Sequence, residues 1–146
     1  FDHVSKTPIT TDIDFSSFGP WYGNPEGRIV PFMDSIRRVM AYPYTRVCSS
    51  HKPPFEGDAT DSFMAFLACF ERQKNEVFKA VGNGKTLGDL VLSSPFYGNK
   101  FMDLKIQNAF ETQMCRENLA LLMAEGRVVL ENGLFKPVET RIASTR

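Results

Sequence analysis

The apolar positions of this chain change their period twice. Pro8 to Asp14 is rich in Ile and Thr, which predicts a β-strand with proline tolerated at its start. Phe18 to Gly27 holds Gly19, Pro20, Gly23, Asn24, Pro25 and Gly27, which is turn chemistry and predicts a loop. From Ile29 to Met40 the spacing becomes helical, with Phe32, Ile36, Val39 and Met40 on one face. Pro31 suits the first turn of that helix, and Arg37 and Arg38 stand near its end, where cations offset the macrodipole. After Pro43, Thr45 to Ser49 predicts a second short strand, and Ser50-His51-Lys52-Pro53-Pro54 the loop that leaves it. The order strand, loop, helix, strand is an α/β layout.

From Asp61 onward the pattern is helical. Asp61 is placed to cap a helix whose apolar face is Phe63, Phe66, Leu67, Phe70, Val77, Phe78 and Val81, and which stops at Gly82-Asn83-Gly84. Thr86 caps a short helix through Leu87, Leu90 and Val91 that ends near Ser93-Ser94-Pro95. A third helix is predicted from about Asp103 to Glu125, with Ile106, Phe110, Met114, Leu121 and Leu122 as core contacts and Gly126 as its stop. Asn132-Gly133, between the apolar runs Arg127 to Leu130 and Leu134 to Pro137, predicts a two-residue hairpin. Three helices and a hairpin describe a winged-helix-like subdomain. The expected division is therefore residues 1–60 and residues 61–146. Residues 1–7 show no clear period, and the last nine are expected to fray.

Composition narrows the function classes more than it names one. At 146 residues there is room for one ordinary core, or for a small α/β piece and a helical piece. Lys plus Arg equals Asp plus Glu at 17 each, so no global field draws in nucleic acid or an anionic membrane. No apolar run approaches the ~18 residues of a membrane span, and no signal-peptide pattern is present. The 3 cysteines, Cys48, Cys69 and Cys115, are far apart and form no C-x-x-C pair, which predicts reduced thiols in a cytoplasmic protein. Thirteen Phe point to a well-filled core or a covered interface. The chain opens on Phe1, which is expected of a processed protein or of a piece of a longer one.

Two strand ends carry the candidate chemistry. Thr11-Asp12-Ile13-Asp14 delivers two carboxylates just before Phe18-Gly19-Pro20-Trp21-Tyr22-Gly23, and Val47-Cys48-Ser49-Ser50-His51 delivers an imidazole. With the helix between them, these segments resemble the C-terminal half of the metallo-β-lactamase-fold hydrolases. In that family a strand ending in Gly-Asp presents an aspartate that bridges two metals, and a later strand ending in Ser/Gly-His supplies the last histidine ligand. Thr11 stands here where the family has Gly, and Asp12 takes the bridging position. Gly84-Lys85-Thr86-Leu87-Gly88-Asp89-Leu90 and Glu117 to Val128 are similar to the motifs of the winged-helix appendage that many members carry, with Glu117 in place of its usual His. The family's His-x-His-x-Asp-His cluster has no counterpart, since the chain's 2 histidines are His3 and His51. His3 lies too close to Asp12 to be assigned as a ligand.

The resemblance implies the C-terminal portion of an αββα sandwich followed by the helical cap. It also implies two divalent metal ions, zinc with iron or manganese as alternatives, held in part by Asp12 and His51. Asp14 either supports those ligands or is itself the ligand if the register shifts by two, because both carboxylates fall on the same side of a strand. Trp21 and Tyr22 are candidates for the substrate mouth. The implied activity is attack of an activated water on an ester, thioester, amide or phosphoester of a small-molecule substrate. A catalytic zinc takes about three protein ligands, so this chain alone is expected to be inactive and to need the preceding N-terminal half of its protein. The alternatives are a winged-helix nucleic-acid-binding module and a non-catalytic dimerisation or scaffold module, a homodimer being one form. Gln107 to Glu125 carries Glu111, Glu117 and Glu125 against a single Arg116, which argues against nucleic acid.

Overall fold

In the computed structural model, which describes residues 1–98, 100 and 103–138, helix α1 spans Ile29–Met40, the bounds that the spacing predicts. Ile29 and Ile36 are buried on its inner side, with Phe32, Val39 and Met40 half-buried beside them. Strand β1, Arg46–Val47, pairs antiparallel with β2, Phe55–Glu56, in the register Arg46↔Glu56 and Val47↔Phe55. The second of these lies just past Pro53-Pro54, in a stretch without the alternation that marks a strand. An Arg46–Glu56 ion pair of 2.7 Å spans the two edges.

The strand predicted over Pro8 to Asp14 is corrected to a shorter object. Ile9 makes one parallel bridge with Cys48, through Thr10 N–H donating to Cys48 O at 2.8 Å and Cys48 N–H donating to Pro8 O at 3.0 Å. The pleat then breaks, because Thr11 takes a left-handed backbone with φ +48°. Residues Thr10 to Ile13 close into a turn, with Ile13 N–H donating to Thr10 O at 3.1 Å. A run of β-branched residues favours a strand, but one residue at positive φ is enough to end it.

Helix α2, Thr60–Val81, starts two residues earlier than a cap at Asp61 predicts. Asp58, not Asp61, serves its N-terminus: the Asp58 carboxylate accepts from Thr60 N–H at 2.9 Å and from the Thr60 hydroxyl at 2.6 Å. The chain forms two compact units, Phe1–Arg72 and Gln73–Arg146, whose division falls within α2.

Aromatic rings fill the first unit. Phe63 is fully buried and meets Phe15 edge-on at 4.9 Å and Tyr44 at 5.8 Å. Phe70 receives Tyr22 stacked at 5.9 Å and Phe32 edge-on at 5.6 Å. Ile13, Val47, Ala59, Phe66 and Cys69 are buried with them. This accounts for much of the high phenylalanine content: rings at these separations add to their burial through edge-to-face and stacked contacts.

The second unit holds the C-terminal part of α2, then α3 (Leu87–Ser93), α4 (Leu104–Ala124) and the antiparallel hairpin of β3 (Val128–Glu131) and β4 (Leu134–Pro137). Thr86 caps α3 in a reciprocal box with Asp89, as the sequence leads one to expect. The hairpin turns through Asn132 and Gly133 at φ +50° and +78°, the two positive values a type I′ turn requires. Lys85 adds a bridge to Phe135 of β4. The core is Val77, Val81, Leu90, Cys115, Leu119, Leu122 and Val128.

The buried face of α4 differs from the predicted one. Met114 and Leu122 are buried as expected, but Ile106 is 48% exposed, while Gln107, Glu111 and Asn118 are fully buried. For Gln107 and Glu111 the reason is a polar network. Glu111 Oε1 accepts from the Ser94 hydroxyl at 2.6 Å, Tyr97 N–H at 2.9 Å and Phe96 N–H at 3.3 Å, and Gln107 Nε2 donates to Ser94 Oγ at 3.1 Å. These side chains satisfy the segment that leaves α3, where Ser94 stands at φ +47°. The reading of the last nine residues as frayed falls almost wholly on 139–146, outside the described residues.

Among the described residues no helix is long and apolar enough to cross a membrane, and all 3 cysteines are free.

Candidate functional site

Thr10 is the pin of the site. It is buried, and its hydroxyl donates to Ile13 O at 2.9 Å and lies 3.1 Å from Cys48 O. One side chain thus ties the Thr10 to Ile13 turn to the segment that leads to His51. A further rung, Ser50 N–H to Thr11 O at 2.9 Å, runs right up to both candidate side chains. Asp12 on the turn and His51 after the rung are consequently neighbours, with Asp12 Oδ1 3.2 Å from His51 Nε2.

The turn carries strain. Thr11 is β-branched and sits at φ +48°, where an L-residue other than glycine loses about 1–2 kcal/mol. Glycine would relieve that but lose about 0.5–1 kcal/mol of its own in chain entropy. Thr11→Gly is therefore expected to raise stability slightly, by about 0.5–1 kcal/mol net, read as a higher urea midpoint with unchanged slope. A lower midpoint would mean that the Thr11 side chain makes a contribution the backbone argument misses.

Past Ile13, Asp14 Oδ1 accepts from Ser16 N–H at 2.9 Å, which starts a tight loop. Phe15 at φ +54° and Gly19 at φ +86° bend it, and Gly19 N–H closes on Ser16 O at 3.0 Å. Arg72 of α2 holds the loop from outside, with its Nη2 donating to Ser17 O at 2.9 Å and Phe18 O at 3.0 Å. Gly19 makes this approach possible. A Cβ there would stand 2.6 Å from the Cβ of Cys69, closer than two carbons can pack.

The result is a cleft of about 270 Å³ lined by Asp12, Asp14, Ser16, Phe18, Gly19, Trp21 and His51. The structure thus brings Asp12, Asp14, Trp21 and His51 around one cavity. Asp12 and Asp14 share it through the turn at Thr11 and not through strand alternation. Tyr22 is a correction: it is 1% exposed and stacks on Phe70, so it belongs to the core and not to the mouth. Trp21 is half-buried and lines the cleft. Sequence reasoning missed Ser16, Phe18 and Gly19 as cleft residues, and the signal available was the Phe18-Gly19-Pro20-Trp21 break itself. His3 lies elsewhere, with its ring edge-on to Phe1 at 5.0 Å.

The Asp12 and His51 side chains are 53% and 61% exposed. Such a pair contributes about 0–1 kcal/mol to folding, so stability is not what it is built for. As donors, a carboxylate and an imidazole are the right chemistry for zinc, iron or manganese. Two donors about 2.0–2.1 Å from one ion at a tetrahedral angle stand about 3.3 Å apart, and the observed 3.2 Å matches that as well as it matches a hydrogen bond. The number of donors is short. Among the described residues no group of three or more His, Cys, Asp or Glu side chains is placed to hold a metal ion. The residues present fit one side of such a site.

No protein-family model matches the chain, and no curated protein matches it. Solved structures do. The chain is similar to a metallo-β-lactamase family protein from Thermus thermophilus, with a TM-score of 0.70 at 16% identity over 92% of this chain and 43% of that one. It is also similar to a β-lactamase domain protein from Burkholderia ambifaria, with a TM-score of 0.69 at 20% identity over 94% and 43% of the two chains. At these identities the likeness is one of fold. The chain spans less than half the length of either protein.

Proposed function

We propose, with the shared metallo-β-lactamase fold as premise, that this chain supplies one side of a metal-dependent hydrolytic centre. The preceding part of the protein supplies the other ligands. The observation that carries this reading is the placement of Asp12 and His51, 3.2 Å apart at the edge of a cleft, on segments pinned to each other by Thr10 and by three backbone rungs. In this reading Asp12 and His51 would help to hold two divalent ions, zinc with iron or manganese as alternatives. Asp14, whose Oδ1 is already engaged by Ser16 N–H, stiffens the loop behind Asp12.

The chemistry supplied by the ions when bound is Lewis acidity and a water acidified to a pKa near about 7. The chain's own residues do the rest. The Thr11 turn orients the Asp12 carboxylate, the Ser50 rung fixes where the His51 ring starts, and Phe18 and Trp21 wall the cleft and keep bulk water from the reacting group. The substrate is a small molecule with an ester, thioester, amide or phosphoester bond.

Unit 2 reads as a winged-helix-like module with a role in substrate selection or in dimerisation. The nucleic-acid alternative is not favoured. Lys74 and Arg127 both pair with Glu125 and Lys136 pairs with Glu131, so these three cations of the hairpin side already have carboxylate partners.

The test uses the 146-residue chain itself. Titration with Co²⁺ or Zn²⁺ is expected to show weak binding through His51, seen as perturbation of its imidazole resonances and lost in His51→Ala. Two tightly bound equivalents on the isolated chain would overturn the assignment of the missing ligands to the preceding segment. An imidazole that ignores metal would overturn the ligand role of His51.

A further inference from the structure

The loop that walls the Asp12–His51 cleft has a second cleft on its other side. This one, about 310 Å³, is lined by Phe15, Ser16, Ser17, Ser62, Ala65, Phe66, Cys69 and Arg72, and Ser16 belongs to both. We propose that it is a binding site for a tetrahedral oxyanion, the phosphate group of a small phosphorylated molecule, held by Arg72 and the hydroxyls of Ser16, Ser17 and Ser62.

Charge is the first reason. Arg72 is the only charged residue in the lining, and no carboxylate is among the lining residues. Among the described residues no carboxylate pairs with Arg72, in contrast with Arg37, Arg46 and Arg127. The second reason is preorganisation. Nη2 is fixed by the Ser17 and Phe18 carbonyls, which holds the guanidinium plane at the cleft while Nη1 and Nε keep their hydrogens for a ligand. A fork of guanidinium donors matches phosphate oxygens, and a held fork loses less entropy on binding than a free one. The third reason is the donor count. The hydroxyls of Ser16, Ser17 and Ser62 engage nothing else among the described residues, so three uncommitted hydroxyls and the guanidinium belong to residues that line one space. That is more donors than a planar carboxylate takes up comfortably, and it suits a group with oxygens directed to several sides. The floor of Phe15 and Phe66 rings suits the organic part of such a molecule.

This inference does not depend on a metal at the neighbouring cleft, and its test is run on chelator-treated protein so that the two readings fail separately. Sodium phosphate is titrated into the labelled chain, with sodium chloride at matched ionic strength as the reference. The expected result is a saturable shift of the Ser16, Ser17, Phe18 and Ser62 amides with phosphate and not with chloride. Ser62→Asp places a like charge in the cleft while adding a carboxylate to the first turn of α2, which the helix tolerates. It is expected to weaken phosphate binding by about tenfold or more. Arg72→Gln reads the same loss from the other partner, with circular dichroism confirming that each variant is folded. Equal shifts with chloride, or a folded variant that binds phosphate as the parent does, overturn the proposal.

Discussion

Asp12→Ala in the complete protein is expected to lose bound metal and hydrolytic activity together, the activity by several orders of magnitude. The reason is positional. Among the described residues Asp12 is the one carboxylate that meets His51, and it stands on a turn held by the buried Thr10. Its removal costs the fold little, because the exposed Asp12–His51 pair contributes only about 0–1 kcal/mol. Metal content by elemental analysis and the unfolding midpoint therefore separate the two roles: the first should collapse while the second barely moves. Asp14→Asn should do the reverse in kind, keeping metal while loosening the Asp14–Ser16 turn. Full activity in Asp12→Ala would end its assignment, and loss of metal only in Asp14→Asn would transfer the role to Asp14.

The largest expected effect on stability lies in unit 2. Glu111→Ala should destabilise it by about 3–5 kcal/mol, because the Ser94 hydroxyl and the Phe96 and Tyr97 amides would all lose their buried acceptor. Glu111→Gln should behave in the opposite way. Burial raises the Glu111 carboxyl above the ordinary glutamate value of 4.5, and its hydrogen bonds only partly counter that. The Oε2 atom has no partner among the described residues, so nothing at that oxygen offsets the cost of burying the charged form.

A group whose folded pKa is raised contributes stability that is complete below 4.5 and is lost as pH rises through its folded value. The parent should thus weaken from mildly acid toward neutral pH through this group, while Glu111→Gln stays flat. Glu125 runs the other way. The Lys74 hydrogen bond lowers it, so its smaller, more exposed contribution is present above the ordinary value and lost as pH falls. Chemical denaturation of both variants across this range measures the slopes. A parent curve that rises steadily from pH 4.5 toward neutrality would mean that Glu111 is ionised at no cost.

These results sort what could be read in the residues from what could not. Helix α1 was legible because Pro31 and the apolar spacing act locally, and the hairpin because Asn132-Gly133 leaves the backbone few choices. The strand at Pro8 to Asp14 was not, since nothing in the side chain of Thr11 announces a positive φ. The face of α4 was misjudged for a different reason. Periodicity counts apolar letters, and Gln107 and Glu111 are buried because Ser94 and the residues after it need them as partners, which no pattern along a single helix can register. In the site, Asp12, Asp14, Trp21 and His51 were each singled out, and the structure gathers them around one cleft. Tyr22 was grouped with Trp21 by adjacency and parted from it by burial. Arg72 could not have been found, because it meets the Ser17 and Phe18 carbonyls across more than fifty residues of chain.

The bridge between Ile9 and Cys48 also bears on how this protein can be watched. Of its three thiols, Cys115 is sealed in the core and pushed well above the usual range by burial and by Glu111, and Cys69 is buried beneath Gly19. Cys48 alone is half-exposed. Its backbone is clamped to Pro8 and Thr10, and it stands three residues before His51. A small fluorophore attached there would be rigidly held beside the Asp12–His51 cleft, a ready-made reporter of whatever enters it.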